Sequence, residues 1–158
     1  MTSFEIKSTL GIAFVYMLRM LGLFIVLPIM SIYLTQLGSG ASTFLIGLTF
    51  GIYGLTQALF QIPFGILSDR FGRKKLIIIG LCIFLIGSLV IFFSESMIMI
   101  TLGRALQGAG AISAVLLALL ADLTTDKART KSMAIIGASI GFTFGISIVL
   151  SPILNTYL

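Results

Sequence analysis

Charged residues concentrate in one short segment of this 158-residue chain, which reads GILSDRFGRKK from Gly65 to Lys75. The chain has ten basic and five acidic residues, and five of these fall between Asp69 and Lys75. A loop this short, charged and interrupted by glycines between two apolar segments suggests a hinge or gate at a membrane face. The alternative is a topological anchor, in which the bases attract anionic lipid headgroups at roughly 1 kcal/mol each. Asp69 favours the gate, because an acid weakens a basic anchor.

Two arginines, Arg19 and Arg104, fall well inside apolar segments. A charge at such a depth costs at least about 2.5 kcal/mol on insertion scales, so it normally faces a cavity or a partner. Arg104 either bonds to backbone carbonyls or to Gln107 on the next turn, or it has a functional role. Neither arginine has a carboxylate at its own depth, because the acids lie in tails, loops and helix ends: Glu5, Asp69, Glu95, Asp122 and Asp126.

A polar stripe follows the second apolar segment at intervals of four residues, through Thr49, Tyr53, Gln57 and Gln61. This spacing keeps polar groups near one face of a helix. Such a face either joins helices by hydrogen bonds or lines a substrate path, and both interpretations stay open. The candidate residues for a substrate or proton pathway are Arg19, Tyr53, Gln57, Gln61, Arg104 and Gln107.

The composition places these residues in a membrane protein. Hydrophobic residues make up 58% of the chain and charged residues 9%, which leaves too little polar surface for a soluble domain. A span needs about 20 mostly apolar residues, and in lipid its backbone must bond within the segment. The strand alternation of an outer-membrane barrel is absent. We therefore predict an all-α, polytopic transmembrane helix bundle with helices at approximately 10–34, 43–67, 76–94, 97–121 and 132–157.

Glycines recur every four residues in two of these predicted helices, at Gly47 and Gly51 and at Gly137, Gly141 and Gly145. In lipid this spacing lets two helix backbones approach closely. We expect these glycines to lie in helix contacts, either as fixed packing or as a sliding surface.

Basic residues are distributed unevenly between the predicted loops. They lie at Lys7, between Arg70 and Lys75 and between Lys127 and Lys131, whereas 35–42 and 94–96 contain none. This is the positive-inside pattern, which predicts a cytoplasmic N-terminus. The net charge of +5 therefore reflects topology, and we predict the lipid bilayer as a partner and no nucleic acid.

The residue types also exclude several functions. The chain has one cysteine, Cys82, and no histidine, so an internal disulfide is impossible and a transition-metal site is not expected. There is no nucleophile–base pair and no phosphate-binding loop. We predict no enzyme activity, no catalytic residues, no metal and no cofactor.

Two motifs resemble those of a known family. The pattern Gly65-x-Leu67-x-Asp69-Arg70-x-Gly72-Arg73-Lys74 resembles the loop 2–3 signature of the major facilitator superfamily at every defining position. Arg104-x-x-Gln107-Gly108-x-Gly110-Ala111 is similar to the second motif of that superfamily. Longer runs, such as Gly51–Gln57 and Gly103–Gly108, resemble a proton-driven, efflux-type bacterial member, and the resemblance covers nearly the whole chain.

The resemblance implies a secondary transporter of the bacterial inner membrane, which moves a small solute by alternating access and is driven by a proton gradient. It implies that Asp69 acts on a helix of the other half, that Asp122 pairs with Arg73, and that Arg104 takes part in proton coupling. The glycines of the loop would permit a tight turn. The resulting candidate gate consists of Gly65, Asp69, Arg70, Gly72, Arg73, Lys74 and Asp122.

Two departures from the family pattern limit these implications. Members have twelve spans in two six-helix halves, so we expect this chain to be an incomplete N-terminal half that works with a missing C-terminal half or a second copy. Ser151-Pro152 stands where antiporters of the family carry Gly-Pro, which weakens the case for antiport. Sugar or metabolite uptake, and a non-transporting remnant or assembly subunit, remain alternatives.

Overall fold

The computed structural model describes residues 1–37 and 43–157. Those residues form helices α1 Ser3–Leu37, α2 Thr43–Phe71, α3 Arg73–Phe92, α4 Met97–Ala109, α5 Ser113–Leu123 and α6 Asp126–Tyr157. Neither described range contains a strand, and the predicted all-α class is confirmed. Within these ranges, 5 helical stretches are long and apolar enough to cross a membrane, and one of them, Met97–Leu123, includes both α4 and α5.

The segment predicted as one helix from 97 to 121 is broken after Ala109. Gly110 caps α4 through a bond from its N–H to the Leu106 carbonyl, at 3.3 Å, and its backbone then leaves the helical conformation at ψ 47°. The chain resumes helical bonding where the Leu116 N–H donates to the Ile112 carbonyl, at 2.8 Å. Glycine supports such a break because it is a poor helix former.

Several other predicted boundaries also shift. Helix α1 begins at Ser3 rather than at 10, and α2 continues past 67 to Phe71. Helix α3 begins at Arg73 rather than at 76, and α6 begins at Asp126 rather than at 132. The prediction followed the apolar residues, but arginine and lysine are good helix formers, and the helix continues into the charged segments.

The chain divides into two compact units, one of Met1–Tyr33 with Leu119–Leu158 and the other of Leu34–Ala118. In the first unit, α1 and α6 are joined by contacts that advance together along both helices. The Thr9 hydroxyl donates to Ser132 Oγ at 2.9 Å, and the rings of Phe24 and Phe144 meet edge to face at 5.1 Å. The residue number increases on both helices from the first contact to the second, so the two helices run parallel.

Glu5 ties the start of α1 to the turn before α6. Its Oε2 accepts from the Thr2 N–H at 2.6 Å while the Glu5 N–H donates to Thr2 Oγ1 at 3.2 Å, which is a reciprocal helix cap. Its Oε1 accepts from the Thr125 N–H at 2.9 Å and from the Thr125 hydroxyl at 2.8 Å. Glu5 is 5% exposed, and both oxygens of its carboxylate accept hydrogen bonds.

In the second unit, α4 packs against both α2 and α3. Glycines make the approach close: a Cβ added to Gly87 would lie 2.7 Å from both the Gln107 nitrogen and the Gly103 carbonyl oxygen. Gly80 and Gly110 face each other in the same interface, and Gly108 lies against the backbone of α2 at Tyr53. Small residues allow such contacts between membrane helices.

The glycines singled out by their four-residue spacing lie elsewhere. A Cβ at any of them would meet nothing within 4 Å among the described residues: Gly47, Gly51, Gly137, Gly141 and Gly145. The prediction of close contacts at these positions is wrong for the described structure. The spacing identifies a face that permits close packing, but it does not say which face another helix covers.

Replacing Gly87 with alanine tests the glycine contact. We expect Gly87→Ala to destabilise the native full-length protein by about 1–3 kcal/mol, because the added methyl group meets backbone atoms that cannot turn away. The measurement is the thermal unfolding midpoint in detergent. Gly54→Ala is the matched control, since the space around Gly54 is open and alanine is the better helix former. Equal midpoints for the two variants would contradict the prediction.

Candidate functional site

A single residue, Gly72, separates α2 from α3. Its φ of 96° is the only positive φ among the described residues, and its ψ is 135°. This region of backbone space is open essentially to glycine alone. The Gly72 N–H donates to the Ser68 carbonyl at 3.1 Å, and its own carbonyl accepts from the Leu76 N–H at 3.4 Å. The turn is therefore tight and closed by bonds to both helices.

The expectation that Gly65 also permits this turn is wrong. Gly65 lies within α2, whose last residue is Phe71, and a Cβ at that position would meet nothing within 4 Å. Its carbonyl accepts a bond from the Ser68 hydroxyl at 2.6 Å. The correction follows from the extension of α2 into the charged segment, which leaves only Gly72 outside a helix.

Arg73 bridges the turn. Its Nη1 lies 2.5 Å from Asp69 Oδ1 and donates to Ser68 Oγ at 2.6 Å. Ser68 is buried, whereas the side chain of Asp69 is 62% exposed, so the ion pair lies at the edge of the protein. The side chain of Arg73 is 21% exposed, so the pair is open to water mainly on the side of Asp69. Exposure of one partner to water weakens an ion pair.

The other gate candidates occupy different surroundings. Arg70 and Lys74 are exposed. Asp122 is exposed at the end of α5 and belongs to the first unit, whereas Arg73 belongs to the second. The pairing of Asp122 with Arg73 stays a prediction.

Arg104 forms the centre of a buried polar cluster in the second unit. It is 1% exposed, and its Nη1 donates to Gln107 Oε1 at 3.0 Å. The guanidinium carbon lies 5.3 Å from the centroid of the Tyr53 ring, a cation–π distance. No carboxylate of the described residues pairs with Arg104. A bond from Arg104 to Gln107 is one of the alternatives that the sequence analysis left open.

Most of the polar stripe on α2 faces α4 and α5. Thr49 Oγ1 lies 2.7 Å from Thr101 Oγ1, Tyr53 lies beside Arg104, and Gln57 Nε2 donates to Ser113 Oγ at 3.5 Å. Gln61 is half-buried and takes part in none of these bonds. The stripe therefore joins helices over most of its length, which was one of the two interpretations left open.

Arg19 is also buried, at 2% exposed, but it belongs to the first unit. The structure thus brings together Tyr53, Gln57, Arg104 and Gln107 within the second unit.

Comparison with known proteins places this geometry in a family. The model of the Major Facilitator Superfamily matches residues 12–158. The chain belongs to the major facilitator superfamily. The recognition based on the loop at Asp69 and the helix at Arg104 is confirmed.

Relatives within the superfamily include transport proteins of several names. Over 155 residues the chain is 56% identical to the inner membrane transport protein YajR of Escherichia coli K12, covering 98% of this chain and 34% of the relative. It is 34% identical over 112 residues to the class B tetracycline resistance protein of Escherichia coli, covering 70% of this chain and 27% of the relative. It is 35% identical over 130 residues to multidrug resistance protein 2 of Bacillus subtilis, covering 79% of this chain and 32% of the relative. The chain spans about a third of the length of these curated relatives.

Two serines that neither motif specifies bond to residues that the motifs do specify. Ser68 accepts from Arg73 inside the loop motif, and Ser88 of α3 accepts from Gln107 at 2.9 Å. Ser88 follows Gly87 in the apolar part of α3, which begins after Lys75. A small residue beside a polar one at such a position is a signal that favours a helix contact with a hydrogen bond.

Substitution of Gly72 tests the turn of this superfamily member. We expect Gly72→Ala to cost about 1–3 kcal/mol, because a side chain strains the backbone at a φ of 96°. The loosened turn should be cut faster by trypsin at Arg70 and Arg73. Gly65→Ala is the matched control, because Gly65 is helical and its surroundings are open. Equal sensitivity of the two variants would contradict the assignment of the turn to Gly72 alone.

Proposed function

We propose that this member of the major facilitator superfamily works in a secondary transporter, which moves a small solute by alternating access through proton-coupled efflux. The observation that carries the proposal is the charged one-residue turn at Gly72, with its exchangeable pair of Asp69 and Arg73. Relatives named for tetracycline and multidrug resistance support efflux as the direction. A relative named as an inner membrane transport protein supports the bacterial inner membrane as the location.

The gate works by exchange of partners. In one state Asp69 pairs with Arg73, as in the described structure. In the other state Asp69 stabilises the N-terminus of a helix in a second bundle, which contributes about 0.3–1 kcal/mol, or about 2 when partly buried, and Arg73 turns to Asp122. These energies are close to that of the exposed pair. A small difference in substrate or proton binding can therefore shift the population of the two states.

The second bundle is a further six-helix half or a second copy of this chain, since the substrate site of such carriers lies between two bundles. Arg104, Tyr53, Gln57 and Gln107 contribute a polar cluster from this chain, and Arg19 and Gln61 are further pathway candidates. No acid belongs to the cluster around Arg104 among the described residues. The proton carrier is therefore assigned to the second bundle or to the substrate, and the proton gradient is the driving force.

The substitution Asp69→Asn tests this proposal. It keeps the size of the side chain and removes the charge on which both gate states depend, so we expect the native full-length protein to insert normally and to lose transport. The measurement is substrate-dependent proton release from energised inverted membrane vesicles, with tetracyclines and cationic dyes as probes, alongside protein abundance in the membrane.

Asp126→Asn provides the matched control. Asp126 also forms an exposed pair, with Arg129 at 3.1 Å, but it does so within the first turn of α6 rather than across a turn between helices. We expect this variant to transport at the rate of the unmodified protein. Unimpaired transport by Asp69→Asn would contradict the gate.

The distribution of basic residues provides a separate test of orientation. We expect a fluorescent protein that matures only in the cytoplasm to be bright when fused before Met1 or inserted after Lys127, and dark when inserted between 94 and 96. The reverse pattern would show that the N-terminus lies outside.

A further inference from the structure

The side-chain amide of Gln107 lies between two groups of opposite hydrogen-bonding character. A guanidinium has donors only, so the bond from Arg104 Nη1 requires Gln107 to present Oε1 to it. The NH2 group of the amide then faces Ser88, whose Oγ accepts from Nε2 at 2.9 Å. The Ser88 hydroxyl in turn donates to the Phe84 carbonyl at 2.9 Å. The direction of every bond from Phe84 to Arg104 therefore follows from chemistry.

The close approach of α3 and α4 makes this chain of bonds possible. Gly87 precedes Ser88, and a Cβ added to Gly87 would lie 2.7 Å from the backbone nitrogen of Gln107 and 2.9 Å from its Cγ. With both backbones in contact, the short side chain of Ser88 reaches the amide directly. Gln107 is 2% exposed, so water cannot easily replace the hydroxyl as the acceptor.

The orientation of the amide determines what Arg104 meets. A reversed amide would direct two donors at a cation in a region of low dielectric constant, where a lost bond costs more than in water. Among the described residues, Gln107 Oε1 is the acceptor that Arg104 bonds, while the Tyr53 ring lies 5.3 Å from its guanidinium carbon. Arg104 therefore depends on a neutral group whose direction is set from α3.

We propose that Ser88 is a positioning residue for Arg104, acting through the amide of Gln107. Ser88 holds the amide oxygen towards the guanidinium, and Arg104 is thereby kept in one orientation beside Tyr53. The consequence for transport rests on the proposed function, in which Arg104 belongs to the solute or proton pathway. The positioning itself is measurable without transport.

The first measurement is nuclear magnetic resonance of the arginine side chains in the native full-length protein, labelled with 15N-arginine in detergent. The Arg104 signals are assigned by their loss in Arg104→Lys. A bonded Nη1 rotates slowly about the bond to Cζ, so we expect slow rotation in the unmodified protein. We expect Ser88→Ala to speed this rotation about 3–10-fold, as the loss of one hydrogen bond predicts.

Three further variants separate positioning from packing. Ser88→Thr retains a hydroxyl and is expected to keep the slow rotation. Ser147→Ala is the matched control, because the buried Ser147 hydroxyl also donates to the carbonyl four residues earlier, at 2.8 Å, but bonds no side chain among the described residues. In a Gln107→Leu background, Ser88→Ala should change nothing further, since the two residues act in series.

The second measurement is transport by the same variants in energised inverted vesicles. We expect Ser88→Ala to lower kcat about 3–10-fold with KM within about twofold, and Ser88→Thr to restore kcat. Abundance and the unfolding midpoint should stay at the values of the Ser147→Ala control.

The outcomes are distinct. Unchanged rotation of Arg104 in Ser88→Ala overturns the positioning role. Wild-type kcat in a Ser88→Ala protein whose Arg104 rotates freely overturns the consequence of that positioning for transport. Faster rotation with reduced kcat, rescued by threonine, supports it. Faster rotation in a protein whose unmodified form moves none of the probes upholds the positioning of Arg104 by Ser88 and overturns the proposed efflux function.

Discussion

A cation buried in a membrane-length helix needs polar partners from the helices around it, and Arg104 imposes this requirement on α4. The partners are Gln107 on its own helix and Tyr53 on α2, with Ser88 of α3 behind Gln107. They come within reach because glycines remove the side chains that would hold the backbones apart. The glycine contacts and the polar cluster are thus one arrangement, because the close approach of the helices brings the polar side chains within reach of one another.

The turn at Gly72 uses polar groups in the opposite way. The side chain of Asp69 is largely exposed, so water can replace it as the partner of Arg73, whose own side chain is 21% exposed. The backbone at Gly72, in contrast, is confined to a conformation that other residues avoid. Arg104 and Gln107, in contrast to Asp69, are buried, and hydrogen bonds in such surroundings hold a charge in one place. The two motifs of the superfamily therefore differ in physical character as well as in position.

Much of the fold follows from the sequence because lipid restricts the choices. Apolar segments of membrane length must be helices, so the composition alone determines the all-α class and the approximate position of the spans. The two motifs suffice for the family, since the residues from Gly65 to Lys74 and from Arg104 to Ala111 occur in order and at suitable spacing. The bond from Arg104 to Gln107 was also foreseeable, because three residues separate neighbours on one helix face.

Only the tertiary structure decided which faces meet. Gly137 and Gly141 carry the spacing of a helix contact and have none among the described residues, whereas Gly87 and Gly103 lack that spacing and lie in one. The reach of Ser88 to Gln107 likewise arises between helices. Periodicity reports the properties of one helix face at a time. The contacts depend on how neighbouring helices are rotated and offset, which long-range packing determines and a local pattern does not record.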